Sequence, residues 1–404
     1  MKRLRKIIFW CHLPIGVLGG VVILIMCVTG VLLTYEKQIT YWADTKNYQS
    51  PPPTAESKRL PVETLIAKAK EGRNAAPTAA TLRNDPAAPV EIAFGREGSL
   101  FLNAYTGQVL GGGSQRTRSF FRGVTDWHRW LGAQGENRNT MRAITGACNL
   151  GFLVLVISGF YLWFPQKWSK KFVRNIAWFK RGLPSKARDF NWHNVIGFWS
   201  AVPLLIVVLS AVVISYTWAG NLVYKIVGET PPAPRANQPQ PGQNQGQGQQ
   251  RGNQEQAAAT TPNSINTAWA VAEQQVGDWN IISLQLSAAN APLTFNIDRG
   301  NGGQPQKRGQ LTVDRTTGQV TKWEPFSSNT RGRQLRTILR FAHTGEVLGL
   351  PGQTIAGIVS AGGAVLVWTG LALAFRRLRA WRARRAKAKT TVSAPELVPN
   401  SMSD

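Results

Sequence analysis

Four histidines, His12, His128, His193 and His343, are the only imidazoles in a chain of 404 residues. No other side chain type is so well suited both to bind a metal and to change charge near neutral pH. His12 opens the stretch "HLPIG" and His193 opens "HNVIG". Each stands at the start of a long apolar run, and Tyr35 or Tyr216 follows it by twenty-three residues. His128 lies in "WHRWLG" and His343 in "FAHTGEVLG", with arginines twelve and ten residues ahead: Arg116 and Arg118 in one case, Arg331 and Arg333 in the other. The rings therefore sort into two pairs. With no Cys, Asp or Glu at ligand spacing, each pair falls short of the four ligands of a structural zinc site. Two imidazoles are enough to hold haem iron from above and below between facing helices.

A porphyrin needs room beside its axial ligand. On a helix the positions four, seven and eighteen residues further on share the ligand's face. From His12 these are Gly16, Gly19 and Gly30, and from His193 they are Gly197, Ser200 and Ala211, none of them bulky. Small residues at such spacing also let membrane helices pack closely, and a single His or Trp near an interface can simply anchor a helix. The recurrence of histidine in two related pairs, with none to spare, favours haem. Cys11, Cys27 and Cys148 form no CxxC and read as small apolar residues.

The elements that position these rings follow from hydropathy and charge. Residues 7–35, 143–164, 195–218 and 352–375 are apolar stretches, each long enough to cross a ~30 Å hydrocarbon core as a helix of about 20 residues. The formal charge of +26 is concentrated in "MKRLRK", in the loop between the second and third spans, and in "FRRLRAWRARRAKAK" after the fourth. That distribution speaks for topology and anionic lipid and against nucleic acid. Both termini and the basic loop are expected in the cytoplasm, the two long mixed-charge segments outside. The first span, too long for a signal peptide and without a small-x-small cleavage site, is expected to be retained.

The chain also repeats itself. "NAYTGQVL" at 103–110 matches "DRTTGQVT" at 314–321, and T-G-Q-V reads as a hairpin turn with Gly107 and Gly318 at positive φ. Helix-like stretches ("PVETLIAKAKE", "SINTAWAVAEQQV") and strand-like ones ("VEIAF", "SLFL", "PLTFNID", "QLTV") surround these turns, so each external segment is expected to be a small α+β module. The closing spans carry "SGFYLWF" and "TGLALAF". Two haems near opposite faces would make an electron path from inside to outside.

This pattern resembles the PepSY-associated transmembrane family, whose members include iron-regulated inner-membrane proteins and haem-containing ferrisiderophore reductases. The likeness rests on "HLPIG", "HNVIG", the two T-G-Q-V hairpins, "WHRWLG", "FAHTGEVLG", Gly159 and Gly370. The resemblance implies a membrane α+β fold: four transmembrane helices as two tandem two-helix repeats, each with a periplasmic PepSY-like α+β module, in a bacterial inner membrane. It implies that His12, His193, His128 and His343 are axial ligands of two b-type haems, bis-His, one near each face. The implied activity is that of a membrane-bound ferric (ferrisiderophore) reductase releasing iron in the periplasm.

The boundaries expected are a cytoplasmic amino terminus at 1–6, spans at 7–35, 141–164, 191–218 and 352–375, and a basic cytoplasmic loop at 165–190. PepSY-like modules are expected at 36–115 and 265–326, interfacial His segments at 116–140 and 327–351, and a periplasmic extension at 219–229. A Gln/Pro/Gly-rich tether lacking core-forming residues is expected at 230–264, and a basic tail at 376–404. Arg118 and Arg333, with Arg116, Arg122, Arg331, Arg336 and Arg340, suit haem propionates, an anionic ferric chelate, or lipid headgroups. Trp127, Trp130 and Phe341 suit interface anchoring or haem packing. No G-x-G-x-x-G on a strand-to-helix turn, P-loop or iron–sulfur cysteine set is present, so a cytoplasmic flavoprotein or a quinol is expected to supply electrons. The rival readings are a non-catalytic membrane-anchored PepSY module that binds peptide or regulates a partner, and a siderophore or metal transport component.

Overall fold

The computed structural model describes residues 2–164, 169–233, 265–286 and 291–392. Four of its helices are long and apolar enough to cross a membrane. The first is α1, Lys2–Leu33; it is followed by α2, Glu36–Thr45, α3, Val62–Lys70, and four strands, β1 (Ala79–Arg83), β2 (Val90–Ala93), β3 (Ser99–Leu102) and β4 (Val109–Gly111). Next come α4, Gln115–Trp130, the long α5, Asn137–Trp163, and α6, Lys170–Ala177. The third long helix is α7, Ser185–Ser215, followed by α8, Thr217–Ile226, and α9, Ile265–Gln275. Strands β5 (Ile281–Gln285), β6 (Leu293–Asp298), β7 (Arg308–Val313) and β8 (Val320–Pro325) then lead to α10, Arg331–His343, and α11, Gly349–Val392. The protein is thus an α+β membrane protein. From residue 234 onward the expected tether lies outside the described residues, as do Trp168 and residues 393–404.

The chain forms two compact units, one made of Met1–Val28, Gly135–Leu205 and Ile358–Asp404, the other of Thr29–Gln134 and Ile206–Gly357. The first is helical. Small residues let its helices approach closely. A Cβ placed on Gly151 would meet Ile15 at 3.2 Å, one on Gly20 Leu371 at 3.1 Å, and one on Gly363 the Cys27 sulfur at 2.8 Å. Where the apolar run of α11 ends, Arg376 pairs with buried Asp189 near the start of α7 at 2.7 Å, and Arg188 shares that carboxylate at 3.0 Å.

The second unit contains all the strands among the described residues. They form one antiparallel sheet in the order β4-β3-β2-β1-β5-β6-β7-β8. The two halves, α3 with β1–β4 and α9 with β5–β8, join in this one sheet: β1 and β5 pair through Ala79–Arg83 and Gln285–Ile281, with Thr81 opposite Ser283 and their hydroxyls 2.9 Å apart. Joining the two four-stranded halves covers a strand edge on each that would otherwise display unpaired backbone groups. It also lets both halves share one core, because alternate residues of each strand face the same side. Leu82, Ile92, Leu102, Ile282, Leu284, Phe295 and Leu311 lie in that core with Leu65 of α3 and Trp269 of α9. The starts of α3 and α9 cap each other. The Glu63 carboxylate accepts from the Ile265 N–H and, at 2.9 Å, from the Asn266 amide, while Asn266 Oδ1 accepts from the Glu63 N–H at 3.1 Å.

Both T-G-Q-V turns are hairpin turns, with φ +74° at Gly107 and +70° at Gly318. Asn103 Oδ1 accepts from the Tyr105 and Thr106 N–H groups, and Asp314 Oδ1 from those of Thr316 and Thr317. The expected interfacial segments are largely helical, as α4 and α10, and the basic loop contains α6.

Candidate functional site

In the first unit His12 lies against α5 and His193 against α11. His12 Nδ1 is 2.8 Å from Ser158 Oγ, and His193 Nδ1 is 3.0 Å from Thr369 Oγ1. Each hydroxyl already donates its one proton to a backbone carbonyl a turn earlier: Ser158 to Val154 at 2.6 Å, Thr369 to Val365 at 2.8 Å. Towards the imidazole each hydroxyl must then accept. The proton of His12 and of His193 accordingly sits on Nδ1, and Nε2 carries the lone pair. The residue after each hydroxyl is a glycine on which the ring rests. A Cβ at Gly159 would stand 3.5 Å from His12 Cε1, and one at Gly370 would stand 3.4 Å from His193 Cε1. The two imidazoles are themselves electrostatic neighbours.

In the second unit the rings of His128 and His343 lie 6.3 Å apart, centre to centre, inclined at 51°. His128 Nδ1 is 2.9 Å from Thr29 Oγ1. His343 Nδ1 is 2.9 Å from the carbonyl oxygen of Val207, which can only accept, so here too the proton is on Nδ1. The same carbonyl accepts from Ser210 Oγ at 2.8 Å. Burial holds the His343 imidazole below its ordinary pKa, the Val207 carbonyl opposing the shift. The neutral ring that results is the metal-binding form.

The spacing of His128 and His343 fits a bis-imidazole metal group. A metal ion sits about 2.0–2.1 Å from an imidazole nitrogen, and a ring of ~1.33 Å bonds has a radius of about 1.1 Å. Two rings facing across one metal therefore have centres about 6.3 Å apart, which is the spacing of His128 and His343. Histidines that bind metal ordinarily use the second nitrogen in a hydrogen bond that fixes tautomer and orientation, and all four Nδ1 atoms are so engaged. Among the described residues no three His, Cys, Asp or Glu side chains come together; the donor set at either place is two imidazoles.

The other residues singled out by spacing fall as follows. A Cβ at Gly16 would lie 3.8 Å from Leu155 of α5, and one at Gly19 would lie 3.9 Å from the Cys148 sulfur. These two glycines follow His12 along its contact with α5. Gly197 lies beside Leu366 and Ser200 beside Gly362, both on α11. Gly30 is half-buried, its carbonyl accepting from Thr34 Oγ1 at 3.2 Å, and Ala211 is buried. Arg118 is held by Asp44, with Nη2 to Oδ2 at 2.6 Å and Nε to Oδ1 at 3.2 Å. Burial opposes its charge but Asp44 more than offsets this, and the guanidinium stays above its ordinary pKa. Asp44 also accepts from the Ser114 N–H at 2.7 Å, at the start of α4. Arg118 is thus neutralised within the fold. Arg333, its counterpart by spacing, is exposed, and its backbone N–H donates to the Thr330 cap.

Ser158, Thr369, Thr29 and Val207 were not identified from the sequence. A signal existed for two of them, since "SG" and "TG" recur at 158–159 and 369–370 in the closing spans. For Val207, which acts through its carbonyl, no residue type could have carried one. No curated protein matches the chain. The family model described as PepSY-associated TM region matches it over residues 9–389.

Proposed function

The chain belongs to the family of PepSY-associated TM regions, and on that footing we propose that it is a di-haem inner-membrane oxidoreductase reducing a periplasmic ferric chelate. The 6.3 Å spacing of His128 and His343, with each Nδ1 already in a hydrogen bond, carries the reading. His12 and His193 supply the second pair in this proposal. The reading is supported by the parallel that both histidines that open a span lean on a hydroxyl–glycine dipeptide of a closing span, as a tandem two-helix repeat would have them do.

Bound b-type haem would supply one-electron chemistry at its iron. The protein's part is to hold the rings. Ser158, Thr369 and the Val207 carbonyl keep the proton on Nδ1, so that Nε2 would be the nitrogen open to a haem iron. Gly159 and Gly370 leave room for the imidazoles to lie against their helices. The His12 and His193 rings are carried on helices long and apolar enough to cross a membrane. A cytoplasmic flavoprotein or a quinol would give up each electron, and the external ferric ion, a siderophore complex in the fullest form of the proposal, would take it and become ferrous. Ferrous iron is held less tightly by such chelators and is released. Cationic residues at both ends of the chain and in the 165–190 loop support a cytoplasmic placement for these segments and a periplasmic one for the sheet.

The test is haem content of single-histidine variants purified in detergent. His12→Ala or His193→Ala should lose one haem of two, and His128→Ala or His343→Ala the other. Folded variants that lose both haems, or neither, would contradict the pairing.

A further inference from the structure

Arg336, Arg340 and His343 follow one another on α10 at intervals of four and three, and so lie along one face of that helix. Arg308, which opens β7, is an electrostatic neighbour of Arg340, as is Arg336. The Arg308 guanidinium stands 5.2 Å from the centre of the Phe341 ring, and the Lys37 ammonium 5.6 Å from the same ring. Arg336 reaches α8, where a Cβ on Gly220 would be 3.6 Å from its Nε.

Three of the carboxylates near this group are already engaged. Asp298 accepts from Arg308 at 2.9 Å, and Glu346 accepts from Lys37 at 2.7 Å and from Thr344 at 3.2 Å. Glu229 accepts from the Gly332 N–H at 3.0 Å. Lys37 is thus paired with Glu346 and Arg308 with Asp298, and Glu36, an electrostatic neighbour of Lys37 and Glu346, stands on the Lys37 side of the group. Among the described residues neither Arg336 nor Arg340 has an ion pair or a side-chain hydrogen bond. Burial, with the charges of Arg308 and Arg336, holds Arg340 below the ordinary arginine pKa, Glu346 acting the other way. Like charges gathered in a half-buried place are unfavourable unless an anion joins them, and the guanidinium fork matches a carboxylate with two parallel hydrogen bonds. The residues three and seven before His128, Thr125 and Phe121, provide nothing comparable.

We propose that Arg336, Arg340 and Arg308 form an anion site one turn from His343 that takes carboxylate groups. The carboxylates come either from a haem held at His343 or from a soluble chelate arriving there. This deepens the reductase reading and rests on it only for what the anion is attached to.

The test uses the full chain in detergent, with Arg336→Gln/Arg340→Gln and, as a milder change, Arg340→Lys, each checked for fold by circular dichroism and gel filtration. Citrate is the soluble probe, titrated at two salt concentrations, and haem content and midpoint potentials are measured on the same samples. Salt-sensitive citrate binding that weakens at least about tenfold in the double variant, with haem unchanged, supports the site and makes the chelate the source, since one charge-assisted hydrogen bond is worth about that much. No citrate binding, but loss of one haem or a shifted potential of one haem in the double variant, supports it with the cofactor as source. If the double variant does not fold, the same readouts are taken on Arg340→Lys, which keeps the charge but loses the fork, with the same two directions expected. Unchanged citrate binding, haem content and potentials overturn the proposal. A colourless wild type whose citrate binding still depends on these arginines keeps the anion site and refutes the reductase reading instead.

Discussion

Replacing Thr369 with valine removes one oxygen and keeps the shape of the side chain. Thr369 is almost fully buried, and its Oγ1 accepts from His193 Nδ1 at 3.0 Å while donating to Val365. Valine leaves that N–H without its partner. An unmade hydrogen bond at a buried group costs about 1–3 kcal/mol. It also frees the ring to move its proton to Nε2, the nitrogen an iron needs. Loss of such an outer hydrogen bond commonly weakens metal binding about 10- to 100-fold, and at about 1.4 kcal/mol per factor of ten the two figures agree. We expect Thr369→Val to release one of two haems about 10- to 100-fold faster to an apomyoglobin trap, with the other unaffected and Thr369→Ser close to the parent. If Thr369→Val retained both haems with parental kinetics while His193→Ala lost one, the hydroxyl would have no part in fixing the ligand.

The other predictions concern the ring cradle, the folded sheet and one titration. Gly159→Leu and Gly370→Val place branched atoms where a Cβ already comes within 3.5 and 3.4 Å of a histidine carbon; each should lose one haem in a pyridine haemochrome assay, and the alanine variants should keep most of it. Asp44→Asn weakens the pairing with Arg118, and because one partner of a buried pair then stands uncompensated, a loss of about 3 kcal/mol is expected, read as easier thermal unfolding and earlier proteolysis between α2 and α4. Phe295→Ala empties a site with no solvent exposure against Trp269, whose ring centre is 5.7 Å away, and should destabilise the sheet by about 3–5 kcal/mol in chemical denaturation. Asp314 is held at a pKa of about 2, first by the Thr316 hydroxyl and then by the Thr317 N–H. Since its folded pKa lies below the unfolded value of about 3.9, the carboxylate's stabilising effect is complete above pH ~4 and fades as pH falls through 2. Protection of the Thr316 and Thr317 amides, taken relative to intrinsic exchange at each pH, should fall only in that window, and a loss of protection already at pH 5 would contradict the assignment.

The spans were legible because a long run without charge has one stable solution in lipid. The T-G-Q-V turns were legible because a glycine at positive φ is a local requirement, met at Gly107 and Gly318. The joining of β1 to β5 was not: "AATLR" and "IISLQ" are short, and Thr81 meets Ser283 across 202 positions of sequence. Nothing local specifies such a partner. The same holds for Asp44, which claims Arg118 from 74 residues away, so that spacing from His128 alone gave that arginine a different role. The pairing of His128 with His343 was legible through repetition, a non-local signal that the sequence displays openly. Their hydrogen-bond partners were hidden because Thr29 and Val207 sit on other helices from the rings they hold.

The most direct measurement is a dithionite-reduced minus oxidised spectrum of the full chain in detergent, purified after expression with ample haem, with pyridine haemochrome quantitation. The arrangement of the four imidazoles predicts two b-type haems per chain, both six-coordinate and low-spin. A folded protein without haem, or with a single high-spin haem, would contradict it.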